Sequence, residues 1–227
     1  LPLPAFAEQM AFLAAHRTLV SLSDGLARIA DPSSPRDPLV AITFDDGTAD
    51  FVDVALPVLV EHQVPVTLYV ATDFLERNRP FPDDGVPISW AALADAHSTG
   101  LVDVGSHTHT HALLDRLPAP EVADELDRSI ELIEERVGVR PAHFAYPKAV
   151  PGSPAAAAAV RARFASAALA GTRVNRYGAT DPYRLARSPI QTSDGMRWFQ
   201  HKVNGGMAAE DTLRRLINRR RYASAVS

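Results

Sequence analysis

Four short runs rich in apolar residues constrain this chain more than any other feature: Val40-Ala41-Ile42-Thr43-Phe44, Val66-Thr67-Leu68-Tyr69-Val70, Val102-Asp103-Val104-Gly105 and His143-Phe144-Ala145-Tyr146. A half-exposed strand alternates apolar and polar residues. The run at 40–44 is too continuously apolar for that and reads as a strand covered on both faces. Segments of helical period separate the runs, at residues 50–62, 90–97 and 119–137, and another follows at 155–164. The clearest is 119–137, where Val122, Leu126, Ile130, Ile133 and Val137 recur at three- and four-residue spacing. An amphipathic helix over 5–16, with Phe6, Met10 and Leu13 on one face, precedes them. Polar, proline-bearing stretches at 31–38 and 76–87 read as loops. Strand-like pieces near 166–170 and 184–190 and a last helix over 209–222 complete the pattern. Strands alternating with helices predict an α/β fold with parallel strands and crossover connections. Six or so such units, with no internal repeat and no linker, predict one barrel-like domain over residues 1–227.

Bulk properties exclude several classes. A formal net charge of -4 and a pI near 6.1 give no case for nucleic acid. The absence of cysteine excludes disulfides, thiolate zinc sites and a thiol nucleophile. No apolar run approaches the ~20 residues that span a bilayer, and no signal peptide is visible. The compartment stays open. Residues 213–222 form a basic amphipathic stretch, read either as a solvated helix face or as a contact for a membrane surface or anionic polymer.

Chemistry concentrates just after two of the predicted strands. The first run ends in Asp45-Asp46-Gly47, and the third leads into Ser106-His107-Thr108-His109-Thr110-His111. Strand ends are where parallel α/β folds build their sites. His107 and His111 supply two imidazoles four residues apart, and Asp46 supplies a carboxylate, the ligand set of an open zinc site. His109 alternates with the other two and points elsewhere. Asp45 stays free to serve as general base toward a water whose pKa the metal lowers to ~7. Taken separately, Asp-Asp-Gly also reads as a plain turn, and His-x-x-x-His as a surface or core pair. Together they predict metal-assisted hydrolysis. Zinc suits the donors, although cobalt, nickel or magnesium can occupy a site of this type.

Thr43-Phe44-Asp45-Asp46-Gly47 and Ser106-His107-Thr108-His109-Thr110-His111 resemble the first two motifs of the polysaccharide deacetylase family, the NodB-homology or carbohydrate esterase family 4 domain. The resemblance spans roughly residues 5–200. It implies a distorted (β/α) barrel of about seven parallel strands. It also implies removal of N-acetyl or O-acetyl groups from an acetylated oligo- or polysaccharide, with Asp45 as base and Asp46, His107 and His111 as ligands of Zn2+ or another divalent metal.

The third motif departs from the family pattern. Phe144-Ala145-Tyr146-Pro147-Lys148 stands where Phe-Arg-Pro-Pro-Tyr is usual, so the arginine that orients the base is missing. Phe-Ala-Tyr-Pro resembles the branch that includes poly-N-acetylglucosamine deacetylases. The backbone N–H of Lys148 remains available as an oxyanion donor. Arg187 has two readings: a replacement for the missing arginine, or a surface ion pair. The late Leu-x-x-His motif, whose histidine protonates the leaving amine, does not occur after residue 190. His16 and His201 both lie in helical stretches. In the permuted branch the acid histidine precedes the first helix, which places it upstream of Leu1. Trp90 and Trp198 read either as sugar-stacking or as core residues. Two further readings fit the altered motifs: an amidase or deformylase of a small-molecule or lipid-linked sugar, and a catalytically silent carbohydrate-binding relative.

Overall fold

The computed structural model describes residues 1–82 and 84–206. The helix expected at 209–222 and the basic stretch 213–222 lie outside the described residues. Helix α1 (Leu3–His16) buries Phe6, Gln9, Met10 and Leu13. Strand β1 (Thr18–Leu19) and helix α2 (Leu22–Ala30) follow. Ser21 caps α2 by accepting a hydrogen bond from the Asp24 N–H at 3.1 Å. This helix was not among the expected elements, although Leu22, Leu26 and Ile29 recur at helical spacing within it.

The run at 40–44 divides. Strand β2 (Leu39–Val40) pairs in parallel with β1, and β3 (Ile42–Phe44) pairs in parallel with β4 (Val66–Val70). Strands β5 (Val102–Ser106), β6 (His143–Ala145) and β7 (Ser166–Ala168) extend the second ladder. The result is one parallel sheet in the order β3-β4-β5-β6-β7. Among the described residues this is a curled half-barrel of five strands, where about seven were expected. Around 184–190, only Leu185 bridges to Ala168, so no further strand forms there. Because β3 is an edge strand, Ile42, Thr43 and Phe44 are half-buried, and the expectation that this run is covered on both faces is corrected.

Sequential parallel pairing with crossovers of one hand puts the connecting helices on one side of the sheet. These are α3 (Leu56–Glu61), α4 (Thr72–Glu76), α5 (Trp90–Ser98), α6 (Ala119–Val137) and α7 (Pro154–Arg161). Helix α8 (Met196–Val203) packs on α1. The outward strand residues Val66, Leu68, Val70, Val102 and Val104 join Phe6, Met10, Leu13, Leu59, Leu93, Ile133 and Phe199 in the main core. Phe144 and Ala167 join a second core with Leu114, Leu126, Val160 and Phe164. Each fully buried leucine here contributes roughly 2 kcal/mol by leaving water. The inward face differs. Tyr69, Ala145 and Ala168 pack against Leu185 and against Leu22 and Leu26 of α2, beside the polar Thr67, His143 and Ser166.

The helix expected over 50–62 begins as a π-helical turn, Phe51–Ala55, and becomes α3 at Leu56. Pro57 has no N–H to donate and its ring crowds the carbonyl four residues back, so the Leu56 N–H bonds the Phe51 carbonyl instead.

Candidate metal centre

Strand β3 ends at Phe44, and the chain turns sharply through Asp45-Asp46-Gly47. Asp46 has φ 73° and Gly47 φ 89°, both left-handed. Aspartate enters that region more readily than most residues, at a cost of about 1 kcal/mol. At Gly47 a side chain is excluded twice, by φ and because a Cβ would stand 2.9 Å from Val70 Cγ1. The turn is pinned by the Ala71 N–H on the Asp46 carbonyl (3.0 Å) and the Ile88 N–H on the Gly47 carbonyl (2.9 Å). Asp46 is thereby fixed against the end of β4.

The histidines arrive from β5. The His107 N–H bonds the Val70 carbonyl (3.0 Å), and its ring is 2% exposed. Its Nδ1 stands 2.7 Å from the Ala145 carbonyl oxygen. A carbonyl only accepts, so Nδ1 donates to it and Nε2 is the ring atom left facing Asp46. His107 Nε2 lies 3.6 Å from Asp46 Oδ1, and His111 Nε2 lies 3.4 Å from the same oxygen. The donor atoms of Asp46, His107 and His111 all lie within 4.8 Å of one another. Ligands about 2.0–2.1 Å from a tetrahedral ion stand about 3.3–3.4 Å apart, so the two carboxylate–imidazole spacings suit a divalent ion. Burial, the neighbouring His107 and the Lys148 ammonium hold the His111 imidazole below its usual pKa, against the opposing pull of Asp46. The neutral ring is the form that can ligate.

Asp45 faces another partner. Its carboxylate takes a two-pronged ion pair from Arg187, Nη1 to Oδ1 at 2.6 Å and Nη2 to Oδ2 at 2.9 Å. Arg187 also donates from Nη1 to Thr43 Oγ1 (3.0 Å) and from Nε to the Leu169 carbonyl (3.1 Å), with its guanidinium 5.3 Å from the Tyr69 ring centroid. Burial pushes the Asp45 carboxyl up, but Arg187, His107 and His111 outweigh it and leave the group below the ordinary carboxylate range. Arg187 stands beside the centre and joins β3 to the chain leaving β7.

Lys148 follows β6 in a left-handed turn, φ 52° at Lys148 and 55° at Ala149. The next two amides bond back, Ala149 to the Tyr146 carbonyl (2.9 Å) and Val150 to the Pro147 carbonyl (3.1 Å). Among the described residues no acceptor takes the Lys148 N–H. His109 turns from the centre, with Nδ1 2.9 Å from Thr72 Oγ1 and Nε2 3.7 Å from Asp73. His16 bonds the Phe12 carbonyl (2.9 Å), and His201 stands beside Trp198. Trp90 packs on the main core while its Nε1 donates to Glu76, and Trp198 is half exposed.

Several residues around the centre carried no signal in the sequence. Tyr69 lies wholly buried under Arg187, and burial raises its hydroxyl pKa. Glu125 and Ser129, one turn apart on α6, bond the 106–110 segment. Their helical spacing is visible in the sequence, but their partners lie far along the chain.

Comparison with known proteins identifies the family. The family model for polysaccharide deacetylase matches residues 33–165, which include Asp45, Asp46, both histidines and Lys148. The chain belongs to the polysaccharide deacetylase family. Arg187 lies beyond the matched residues. The Streptococcus pyogenes deacetylase PplD, solved in complex with acetate, superposes with a TM-score of 0.78 at 17% identity, covering 88% of this chain and 86% of that one. IcaB from Ammonifex degensii superposes with a TM-score of 0.77 at 24% identity, covering 90% and 89%. The uncharacterized protein YlxY of Bacillus subtilis is 26% identical over 115 residues, half of this chain. The chain spans about a third (32%) of that relative's length.

Proposed function

We propose that this polysaccharide deacetylase relative removes acetyl groups, N-acetyl foremost, from a glycan or glycolipid with the help of a divalent metal. The observation that carries the reading is the convergence of Asp46, His107 and His111 beside a carboxylate that does not join them. Asp46 Oδ1 and the two imidazole Nε2 atoms would hold the ion, zinc by their chemistry. A divalent ion held there would supply a water of pKa lowered to ~7 and a Lewis acid for the acyl oxygen.

The protein's own groups do the rest. Asp45 takes the proton of the attacking water as general base. Arg187 clamps both Asp45 oxygens, which fixes the carboxylate's direction and keeps it ionised. The unpaired Lys148 N–H donates to the oxyanion as the acyl carbon becomes tetrahedral. The proton then goes to the departing amine. His16 and His201 make no hydrogen bond or ion pair with Asp45, Asp46, His107 or His111, so neither is assigned as the acid. Acetate, found with PplD, is the expected product here.

The test measures metal content and acetate release from N-acetylglucosamine oligomers. The parent should bind about one zinc and release acetate. Asp46→Ala should lose the metal. Asp45→Asn should keep it while turnover falls ~10²–10⁴-fold. Full activity in Asp45→Asn would overturn the base assignment. Binding of glycan without acetate release would favour a catalytically silent carbohydrate-binding relative.

A further inference from the structure

The segment that delivers the histidines contains no glycine, yet Thr108 (φ 66°) and His111 (φ 63°) are both left-handed. Such a segment relaxes unless its surroundings hold it. His107 is held from the sheet, by the Val70 and Ala145 carbonyls. The residues between it and His111 are held from two helices. On one side, α4 presents the Asp73 N–H to the His109 carbonyl (2.8 Å) and Thr72 Oγ1 to the His109 ring. On the other, α6 presents Glu125. One of its oxygens accepts from the His109 N–H (2.9 Å) and the Thr110 N–H (2.8 Å), and the other accepts from the Thr110 hydroxyl (2.6 Å). One turn further along, Ser129 bonds Ser106 (2.6 Å). Helix α6 is a firm support, because Leu126, Ser129 and Ile130 are buried beneath it.

We propose that Glu125 is a positioning residue for metal binding: by fixing the amides of His109 and Thr110 it holds Thr108 and His111 left-handed and aims the His111 imidazole at Asp46. The inference rests on the reading that Asp46, His107 and His111 bind a divalent ion. Its consequence is selective. Loss of Glu125 loosens the turn before His111, which then keeps only the α4 bonds to His109 and the Ala112 N–H bond to Thr108 Oγ1 (3.1 Å), and leaves His107 on its own anchors. Charge-assisted bonds to backbone amides are also stronger than neutral ones, so an amide at position 125 replaces the carboxylate only in part.

The test titrates zinc into the metal-free full chain and its variants, and records the visible spectrum of the cobalt(II) form. Glu125→Ala should weaken zinc binding 10–100-fold and alter the cobalt spectrum. Glu125→Gln, which keeps size and helix propensity, should fall between that variant and the parent, and it carries the test if Glu125→Ala does not fold. Asp124→Ala, an exposed neighbour on α6, should bind zinc like the parent. At saturating metal the Glu125 variants should recover most of their turnover, because the residue acts through His111. Zinc affinity within twofold of the parent in both Glu125 variants would overturn the proposal and leave the metal reading standing. A parent that takes up no divalent ion would overturn both.

Discussion

Asp45 and Asp46 carry the same carboxylate on consecutive residues, and the backbone gives them opposite surroundings. A left-handed Asp46 throws its side chain toward the imidazoles, while Asp45 keeps the direction of β3 and meets Arg187. The adjacent pair was legible in the sequence, and so was its division of labour as an expectation. The partner of Asp45 was legible only as one of two readings of Arg187, because that residue lies 142 residues away and outside the family's third motif. Arginine's planar fork matches both carboxylate oxygens, and a lysine offers only a point charge. Arg187→Lys should therefore retain zinc but lower kcat about 10–100-fold, measured by acetate release beside metal analysis. Unchanged kcat would remove Arg187 from the proposed machinery.

At the scale of elements, continuous apolar runs and helical periods located the core strands and the long helices well, because burial on the outer face sets those patterns. Boundaries failed where a single residue changes the hydrogen bonding. Pro57 converts a helical start into a π-helical turn, and the chain changes partner between Val40 and Ile42, pairing first with β1 and then with β4. Helix α4 carries too few residues to show a period. Strand β5 carries a constraint hidden in its composition. A Cβ on Gly105 would overlap the Tyr69 ring at Cδ1 and stand 3.0 Å from the His143 carbonyl oxygen. Gly105→Ala should destabilise the protein by about 1–3 kcal/mol through overpacking. That lowers the melting temperature by about 2–12 °C for a chain of this size. Because β5 leads directly into His107, zinc affinity should fall as well. A melting temperature equal to the parent's would show that Tyr69 moves aside without cost.

For the whole molecule, the half-barrel has an apolar outside and a partly polar inside. Edge strand β3 and the chain leaving β7 are joined through Arg187, which bonds Asp45, Thr43 and the Leu169 carbonyl together. At the other end of the sheet, His143 is buried between Ser23 (2.8 Å) and Ser166 (2.9 Å), and burial holds its imidazole below the usual pKa despite Asp103. A base whose folded pKa is depressed contributes fully above its unfolded value, about 6.5, and costs stability as pH falls below it. At pH 5.5 one such ring costs at most about 1.4 kcal/mol. His109 and His111 act in the same direction, whereas the depressed Asp45 carboxyl loses stability only near or below pH 4. The urea midpoint of the metal-free protein should drop between pH 7.5 and 5.5, and His143→Gln should shrink that drop. An equal drop in the variant would show that His143 already titrates normally in the folded state.

The sequence by itself determined the class of fold, the outer core and the two strand-end motifs, because periodicity and short motifs depend on residues close along the chain. Only the tertiary structure decided the number of sheet strands, the pairing of Asp45 with Arg187 and the grip of Glu125 and Ser129 on the histidine segment. Those depend on which distant residues the curl of the sheet brings within 3 Å, and no local pattern in a chain encodes that distance.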